Sequence, residues 1–585
     1  MTGPVVREWI RTQIDESIAD RIGEQLGISR RTARLLVRRG ILDEEAARSF
    51  LHPQLAQLPE PRLMKGVDRA VARIMRAMAA GERIALYGDY DVDGVTSTCV
   101  LADFLRHHGI DVRIYIPKRL TEGYGLNRDA VDELAEEGVR LLITLDCGIT
   151  AADEIAHAQE RGMDTIVVDH HRCPPELPRA YATLNPQQAD CGYPSDVLAA
   201  VGVCFNLVAA LRRALRERGA YSADRPEPNL RQTLDLVALG TVADMVPLTG
   251  VNRILAWHGL QVLRHALRHG VRALMEVSRV RPVNTKSGDI AFRLAPRINA
   301  AGRLADATVG VRLLLSENME EARRLAFALD EANGNRRAIE GHVFEQAVAR
   351  IEAESVLPPA LVLADPHWHP GVVGIVCSKL VERFDRPAIL IGEGGRGSAR
   401  TAKSLHLYDA LADCAEFLTK FGGHRAAAGM RIPFDRVEAF RQAFLRRVCG
   451  DPGLQHGAVP ILHYDEDLFP DEIDFQWADE LARLEPFGSG NPEPLFKLSG
   501  VRVRTTRVVG QDHLKLRFEE GRLGGLRGIA FKMADRQAEL AVGTPVDVAA
   551  HLDRTEWAGL ESLELRVRDL SILKEGVPDK TYEPS

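Results

Sequence analysis

The chain has 585 residues, of which 45% are hydrophobic and 27% charged, a composition typical of a folded globular protein with more than one hydrophobic core. Its formal net charge of −7 excludes a uniformly basic surface, so any binding to nucleic acid must depend on local basic patches. The N-terminus lacks a signal-peptide pattern, no apolar run is long enough to cross a bilayer, and the eight cysteines form no C-x-x-C pair, so we expect a cytoplasmic protein.

The first half of the chain predicts two regions. Residues 1–55 are predicted to be a partly basic helical lead-in, with Gly40 as a helix stop. From residue 83, short apolar runs alternate with helical segments, which predicts a parallel α/β sheet in a domain that spans residues 56–304.

The second half predicts three more regions. The charged, proline-poor segment 305–356 is predicted to be a helical connector, and Gly334 and Gly341 leave open whether it is one helix or a pair. A second α/β domain is expected over residues 357–452. Basic, strand-like stretches with short turns predict a small β-barrel within residues 453–585. The predicted fold is therefore two α/β domains joined by a helical connector, followed by a barrel.

Three carboxylates follow the first predicted strand. Asp89, Asp91 and Asp93 occupy alternate positions directly after the apolar run that ends at Leu86. Carboxylates this close repel one another, and a divalent cation converts that repulsion into binding. The alternative is a solvated turn in which the aspartates cap the backbone.

Two more predicted strands end in side chains of the same type. Asp146 follows one strand and the triplet Asp169-His170-His171 follows the next, so these groups are expected at one edge of the sheet. Asp244 either completes the cluster or caps a helix N-terminus. Mixed carboxylate and imidazole ligands favour manganese or magnesium over zinc. Two such ions, roughly 3.5 to 4 Å apart, would activate water for attack on a phosphodiester.

The blocks GDYDVDG, TLDCG, VVDHH and GTVADMVPL resemble the four motifs of the DHH phosphoesterase superfamily. With the 281–303 block and GGHRAAAG at 422–429, their order is similar to that of the RecJ family of single-strand-specific exonucleases, over residues 60 to 570. This resemblance implies DHH, DHHA1 and OB-fold domains. It implies a 5′→3′ exonuclease that releases 5′-mononucleotides from single-stranded DNA by a two-metal mechanism in recombination and repair, with a single-strand-binding protein and a repair helicase as partners.

The resemblance also implies roles for single residues. His171 would lie beside the scissile phosphate and act with Asp146 and Asp93 in catalysis. Tyr87 stands where pyrophosphatase-like relatives have a histidine ligand, so it is left open whether Asp89 binds metal directly. The implied ligands of two Mn²⁺ or Mg²⁺ ions are Asp89, Asp91, Asp93, Asp146, His170 and Asp244.

Local basic segments are the candidate contacts with DNA. In residues 281–303 five basic side chains face one acid, which favours a phosphate clamp over a solvated surface. The 5′→3′ direction implies a pocket for the terminal phosphate, expected between the two α/β domains and built from Arg119, Ser398 and Arg400. The predicted DNA-binding residues are Arg119, Arg297, Asn299, Arg303, Ser398, Arg400, His424, Arg425, Arg502, Arg504 and Arg507.

Two other functions are consistent with the sequence taken alone. A phosphodiesterase for short oligonucleotides or cyclic dinucleotides would use the two α/β domains without a basic barrel. A non-catalytic scaffold for single-stranded DNA would have the fold with an incomplete set of metal ligands, whereas here the set is intact.

Overall fold

The structure is a computed structural model. It describes residues 7–119, 121–304, 306–401, 405–450, 461–519, 525–557 and 560–573. The chain divides into two compact units. The larger consists of residues 59–244 and 258–458, and the smaller of residues 1–58, 245–257 and 459–585.

The secondary structure follows the chain in this order. The strands are β1 (Glu8–Arg11), β2 (Ile84–Gly88), β3 (Arg113–Tyr115), β4 (Leu141–Leu145), β5 (Asp164–Val168), β6 (Ala182–Leu184), β7 (Leu361–Ala364), β8 (Ala388–Ile391), β9 (Arg396–Arg400), β10 (Lys420–Gly423), β11 (Ala427–Arg431), β12 (Ile461–Tyr464), β13 (Glu466–Asp467), β14 (Phe496–Val509), β15 (His513–Phe518), β16 (Arg527–Ala530), β17 (Pro545–Trp557) and β18 (Leu560–Ile572). The helices are α1 (Glu16–Leu26), α2 (Arg30–Arg38), α3 (Glu44–Leu51), α4 (Val67–Ala80), α5 (Val92–His107), α6 (Arg128–Glu136), α7 (Ala152–Glu160), α8 (Ala200–Glu217), α9 (Leu234–Ala243), α10 (Gly250–His265), α11 (His269–Ser278), α12 (Ser287–Asp289), α13 (Ala295–Leu304), α14 (Thr308–Leu314), α15 (Met319–Glu352), α16 (Pro370–Phe384), α17 (Leu407–Ala412), α18 (Val437–Cys449) and α19 (Phe475–Ala482).

The first sheet of the larger unit has the order β3-β2-β4-β5-β6, and all of its strands are parallel. Every residue of β2 and β4 is buried, as expected for parallel strands covered on both faces. On one face Ala85, Leu142 and Val167 pack against α6 and α7, and on the other α5 packs against the sheet, α8 and α9. The predicted parallel α/β sheet is confirmed, with its strand ends on one edge.

The second sheet of the larger unit has the order β10-β11-β9-β8-β7. Only its β7–β8 pair is parallel among the described strands, and α16 packs on β8 and β9. The connector ahead of it contains α15, one continuous helix of 34 residues. Gly334 and Gly341 both lie inside α15, and neither breaks it.

The smaller unit contains a barrel in which β14, β15, β16, β18 and β17 pair in that order and β17 pairs back to β14. This closed five-strand order is that of an OB fold, as predicted. β13 adds to β14 outside the ring. Among the described residues, no helix is both long and apolar enough to cross a membrane.

The N-terminal segment folds onto this barrel. α1, α2 and α3 share a hydrophobic core with barrel residues, and β1 pairs in parallel with β12, so the lead-in is not purely helical. Glu466 is 3% exposed and accepts hydrogen bonds from Arg11 (2.6 Å), Arg34 (2.7 Å) and Arg38 (2.7 Å). These three arginines therefore stabilise the smaller unit through contacts within it.

Candidate metal centre and DNA contacts

The aspartates of the metal centre extend three neighbouring strands by one residue each. The backbone N–H groups of Asp89, Asp146 and Asp169 donate to carbonyls of the adjacent strand or loop at 3.0, 2.9 and 3.0 Å. Asp146 adopts a φ of +65°, a left-handed conformation that aspartate tolerates better than most residues. Sheet pairing thus carries the three carboxylates to the same edge.

Two helix N-termini fix the next pair of carboxylates. Asp91 Oδ1 accepts from the backbone N–H groups of Asp93 (2.9 Å) and Gly94 (3.2 Å), which caps α5. Asp93 accepts from the N–H groups of Ala200 (2.6 Å) and Val201 (2.9 Å) at the start of α8. The partial positive charge of the two helix ends stabilises both carboxylates in this position.

The predicted ligands come together in three overlapping groups. In each group the ligand atoms lie within 4.8 Å of one another. The groups are Asp89-Asp91-Asp146, Asp93-His170-Asp244 and Asp146-His170-His171.

His170 lies at the centre of this arrangement. Its Nε2 is 3.3 Å from Asp146 Oδ1, 3.6 Å from Asp244 Oδ2 and 3.9 Å from Asp93 Oδ2. Asp244 follows the last residue of α9, so it ends a helix and does not cap an N-terminus as one alternative proposed.

Burial and mutual repulsion make the metal-free cluster unfavourable. Burial, followed by the charge of Asp244, raises the pKa of Asp93. Burial, followed by the charge of Asp91, raises the pKa of Asp146, and the same two causes raise the pKa of Asp244 to about 7. Each carboxylate opposes the ionisation of the next, which is the condition that a divalent cation relieves.

Three buried ligand atoms carry no hydrogen bond from the described residues. They are Asp89 Oδ1, Asp146 Oδ1 and His170 Nε2. Burial lowers the pKa of His170 to about 4, so the ring is the neutral form that binds metals. Unpartnered buried atoms are costly, and here they are the oxygen and imidazole donors that suit Mn²⁺ or Mg²⁺. The residues therefore fit the predicted metals.

Asp169 organises this site without belonging to the predicted ligand set. Its Oδ1 accepts from the N–H groups of His170 (2.7 Å) and His171 (3.0 Å) and lies 2.7 Å from His171 Nδ1. Burial opposes a charged His171, but the hydrogen bond that His171 Nδ1 donates to Asp169 prevails and raises the pKa of His171 to about 9. In the sequence, this orienting role of Asp169 is indicated by its place directly before His170 and His171 in the triplet.

Two tyrosines flank the strand ends. Tyr87 stacks on Tyr115 and donates to the carbonyl of Gly125 at 2.8 Å, so its hydroxyl supports the loop before α6. Tyr124, on that loop, lies 3.3 Å from the carbonyl oxygen of Asp146 and 3.4 Å from His171 Nδ1. Sequence reasoning did not single out Tyr124, because nothing local distinguishes it from a surface aromatic.

Several predicted DNA-binding arginines converge near the start of α16. Arg303 donates to the carbonyl of Gly371 at 3.2 Å, and Arg119 lies 5.0 Å from the ring of Tyr90. Burial, followed by the charges of Arg119 and other arginines, lowers the pKa of Arg303 to about 10. One of those arginines is Arg400 on β9.

Gly374 of α16 lies against Ser398 and Arg400, two of the predicted DNA-binding residues. A methyl group at its Cβ position would come within 3.2 Å of Ser398 Oγ and 3.3 Å of Arg400 Nη2. The two side chains therefore sit against the glycine face of the first turns of α16.

The 281–303 block was predicted to be a phosphate clamp, but two of its predicted DNA-binding residues, Arg297 and Asn299, make contacts inside the protein. Arg297 is 8% exposed and donates to Asp330 at 2.8 Å, so its charge is paired inside the protein. Asn299 accepts from the N–H of Val92 at 3.1 Å, and a side chain at Gly302 would clash with the Tyr90 carbonyl. The block supports the GDYDVDG loop from behind.

The other predicted contacts lie on exposed strands and turns. Arg502, Arg504 and Arg507 lie on the exposed side of β14, and His424 and Arg425 lie at the exposed turn between β10 and β11. Register extends the basic row across the barrel, with Arg507 opposite Lys515 and Arg517 opposite Arg527.

Comparison with known protein families identifies three matching domains. Residues 83–241 match the DHH family, N-terminal domain, residues 357–449 match the DHHA1 domain, and residues 464–569 match the RecJ OB domain.

Curated relatives match nearly the whole chain. The single-stranded-DNA-specific exonuclease RecJ of Salmonella typhimurium is 39% identical over 557 residues, covering 92% of this chain and 95% of its own. Its counterpart from Escherichia coli is 38% identical over 580 residues, covering 96% and 98%. A crystal structure of RecJ from Thermus thermophilus in complex with Mn²⁺ superposes with a TM-score of 0.82 at 32% identity, covering 97% of this chain and 80% of the other.

Proposed function

The chain belongs to the RecJ family of single-stranded-DNA-specific exonucleases, and on that premise we propose how its residues carry out the reaction. It is a metal-dependent enzyme that hydrolyses phosphodiester bonds of single-stranded DNA. The direction of hydrolysis is proposed to be 5′→3′, with release of 5′-mononucleotides. The observation that best supports metal-dependent hydrolysis is the set of three ligand groups at one sheet edge.

Two divalent ions, Mn²⁺ or Mg²⁺, are proposed to bind these groups. Solved RecJ structures from Thermus thermophilus are complexes with Mn²⁺ and with Mg²⁺. Asp146 and His170 each belong to two of the groups, and Asp146 is the proposed shared ligand because a carboxylate has two oxygens with which to bind two ions. Asp89 is retained because its Oδ1 is buried without a hydrogen bond. When bound, the ions supply an activated water and neutralise charge on the phosphate. The remaining proposed ligands are Asp91, Asp93, His170 and Asp244.

His171 is proposed to contact the scissile phosphate. Asp169 engages Nδ1, so Nε2 is the ring atom that can donate to a phosphate oxygen. A protonated imidazole is a donor with a charge opposite to that of the phosphate, and Asp169 stabilises this form. Asp169 is thus a positioning residue, while His171 is a catalytic one.

The strand-end pocket is proposed to consist of Arg119, Ser398, Arg400 and Arg303. Arginine offers forked donors that match a phosphate, and Ser398 adds a hydroxyl beside them. Bound there, the 5′-phosphate would fix the strand relative to the metals and so impose the direction. We do not include Arg297, since its buried guanidinium pairs with Asp330 and its other two nitrogens donate to the carbonyls of Arg293 and Val277.

The barrel is proposed to bind the strand mainly through charge. Arg502, Arg504 and Arg507 lie on an exposed strand, and few aromatic side chains accompany them. His424 and Arg425 are retained as proposed contacts because both are exposed. A single-strand-binding protein and a repair helicase are proposed as partners from family membership. The cytoplasm is the proposed location, where DNA is available.

The test compares single strands of one sequence that carry either a 5′-phosphate or a 5′-hydroxyl, with Mn²⁺ present. The wild type should release mononucleotides from the 5′ end and prefer the phosphorylated strand, and Arg400→Ala should lose the preference while still cutting slowly. Arg383→Ala, which changes an exposed arginine at the far end of α16, is the matched control. Equal preference in wild type and Arg400→Ala would place the end-binding pocket elsewhere.

A further inference from the structure

Helix α15 carries a row of polar side chains on a face that is largely buried. Asn333, Arg336 and Glu340 are spaced three and four residues apart, so they share one helix face. Asn333 is 1% exposed and Glu340 is 4% exposed. Burying a carboxylate and an amide costs free energy unless both are partnered, so this face must serve a specific arrangement.

The row holds the guanidinium of Arg336 from two sides. Asn333 Oδ1 accepts from Arg336 Nε at 3.3 Å and Nη2 at 3.1 Å, and Glu340 binds Nη1. The other oxygen of Glu340 accepts from Lys379 of α16. Arg336 uses three of its five N–H donors in these contacts, which leaves two for a ligand.

Helix packing brings Arg336 towards Arg303. The ion pair between Arg297 and Asp330, at 2.8 Å, joins α13 to α15. Glu340, one turn after Arg336, pairs with Lys379 of α16, and Arg303 donates to the carbonyl of Gly371 on the same helix, so both arginines lie beside α16. The two guanidiniums are close enough that the charge of Arg336 contributes to the lowered pKa of Arg303.

Positive charges converge here without matching acids. Within the described ranges, Arg119, Arg303 and Arg400 make no ion pair with a carboxylate. The carboxylate at Arg336 is shared with Lys379 and so cannot neutralise the others. Converging half-buried guanidiniums oppose one another's charge, and a bound phosphate would relieve that repulsion with forked hydrogen bonds.

We propose that Arg336 is a fourth guanidinium of the strand-end pocket and a determinant of the preference for a 5′-phosphorylated strand. This inference rests on the proposed function, because it takes that pocket as the site of the terminal phosphate. Asn333 and Glu340 are positioning residues: they hold the guanidinium in place before the strand arrives, so little order has to be gained on binding.

The test measures kcat/KM with Mn²⁺ for 5′-phosphorylated and 5′-hydroxyl strands of one sequence, in wild type, Arg336→Gln and Arg337→Gln. Arg337 is the neighbouring arginine and is exposed, so it is the matched control. Arg336→Gln should lower the ratio of the two values about tenfold or more, and Arg337→Gln should leave it unchanged.

A structural role would give a different result. If Arg336→Gln lowers both values equally and leaves the ratio intact, Arg336 only braces α15 against α16 and the proposal is overturned. Arg336→Lys decides the matter if the glutamine variant fails to fold, since it retains a positive charge but loses the forked donors, and an unchanged ratio would again overturn the proposal.

Arg400→Ala separates this inference from the proposed function. If Arg400→Ala loses the end preference and Arg336→Gln keeps it, the pocket stands and only the assignment of Arg336 is wrong. If the wild type itself shows no end preference, the pocket and the role of Arg336 are both refuted.

Discussion

Replacing Asp146 with asparagine should abolish hydrolysis and stabilise the metal-free protein. Asp146 belongs to two of the three ligand groups, so its loss removes the proposed shared ligand. Asparagine is the appropriate substitution because residue 146 has a φ of +65°, where asparagine is tolerated and alanine would add backbone strain. The variant therefore tests charge with little change of backbone.

The stabilisation follows from the distances. Ligand oxygens of Asp89, Asp91 and Asp146 lie within 4.8 Å of one another. Two unit charges at that separation repel by about 3.5 kcal/mol at an effective dielectric of 20. Partial protonation reduces this repulsion, so we expect the variant to gain about 1 to 3 kcal/mol without metal, and its melting temperature to rise by about 1 to 4 °C.

The assay is thermal unfolding in EDTA and in Mn²⁺, combined with the exonuclease rate. Mn²⁺ at about 100 times its dissociation constant should stabilise the wild type by about 2.7 kcal/mol. The same concentration of Mn²⁺ should stabilise Asp146→Asn much less. Asp111→Asn, which changes an exposed aspartate near the same sheet, should behave as wild type.

The same repulsion predicts a pH dependence. In the metal-free protein the pKa of Asp244 is raised to about 7, above the ordinary aspartate value. The folded state then binds more protons than the unfolded state between about pH 4 and pH 7, so stability falls as the pH rises through this window. Asp244→Asn removes this titration, so its metal-free stability should fall less than that of wild type between about pH 5 and pH 7.5.

Two results would refute this reasoning. Normal turnover by Asp146→Asn in Mn²⁺ would exclude Asp146 from the metal centre. A metal-free melting temperature equal to or below that of wild type at pH 7.5 would show that the carboxylates do not repel one another as their spacing requires.

Three further predictions concern other parts of the chain. Asp169→Asn should lower kcat strongly with little change in DNA affinity, because it removes the acceptor that orients His171; an equal loss in DNA binding would contradict this. Affinity for single-stranded DNA should fall with salt with a slope of about −0.7 per neutralised phosphate, measured by fluorescence anisotropy, and a flat response would exclude the basic barrel face. Glu466→Ala should destabilise the smaller unit by about 3 kcal/mol in denaturant unfolding, since Arg38 and two other arginines lose their buried partner, and an unchanged midpoint would show that those arginines find other partners.

The core of the metal centre was predictable because parallel sheets bring strand ends together. Asp89, Asp146 and Asp169 each follow a buried strand, and knowledge of the strand pattern is enough to place them at one edge. The role of Asp244 was predictable only as a choice between completing the ligand cluster and capping a helix N-terminus, since a short segment does not reveal whether a helix begins there.

Long-range pairing explains what the sequence could not predict. Arg297 looked like a surface cation because its partner, Asp330, lies 33 residues away on another helix. The partly basic N-terminal segment likewise gave no sign that its charges are paired, but Arg38 pairs with Glu466, 428 residues further along the chain. Local charge counts cannot separate a solvated arginine from one that is neutralised through tertiary contacts.

Helix α13 connects the two sites on which an exonuclease depends. Asn299 holds the metal loop through the N–H of Val92, and Arg303, one turn later, binds the carbonyl of Gly371 at the start of α16. These residues are separated by about 6 Å along a stiff helix. An enzyme that removes one nucleotide at a time needs a constant distance between the bound strand end and the cleaved bond. A helix supplies that constancy because, unlike a loop, it does not change length, so α13 sets the step of the reaction if the strand-end pocket lies at Arg303.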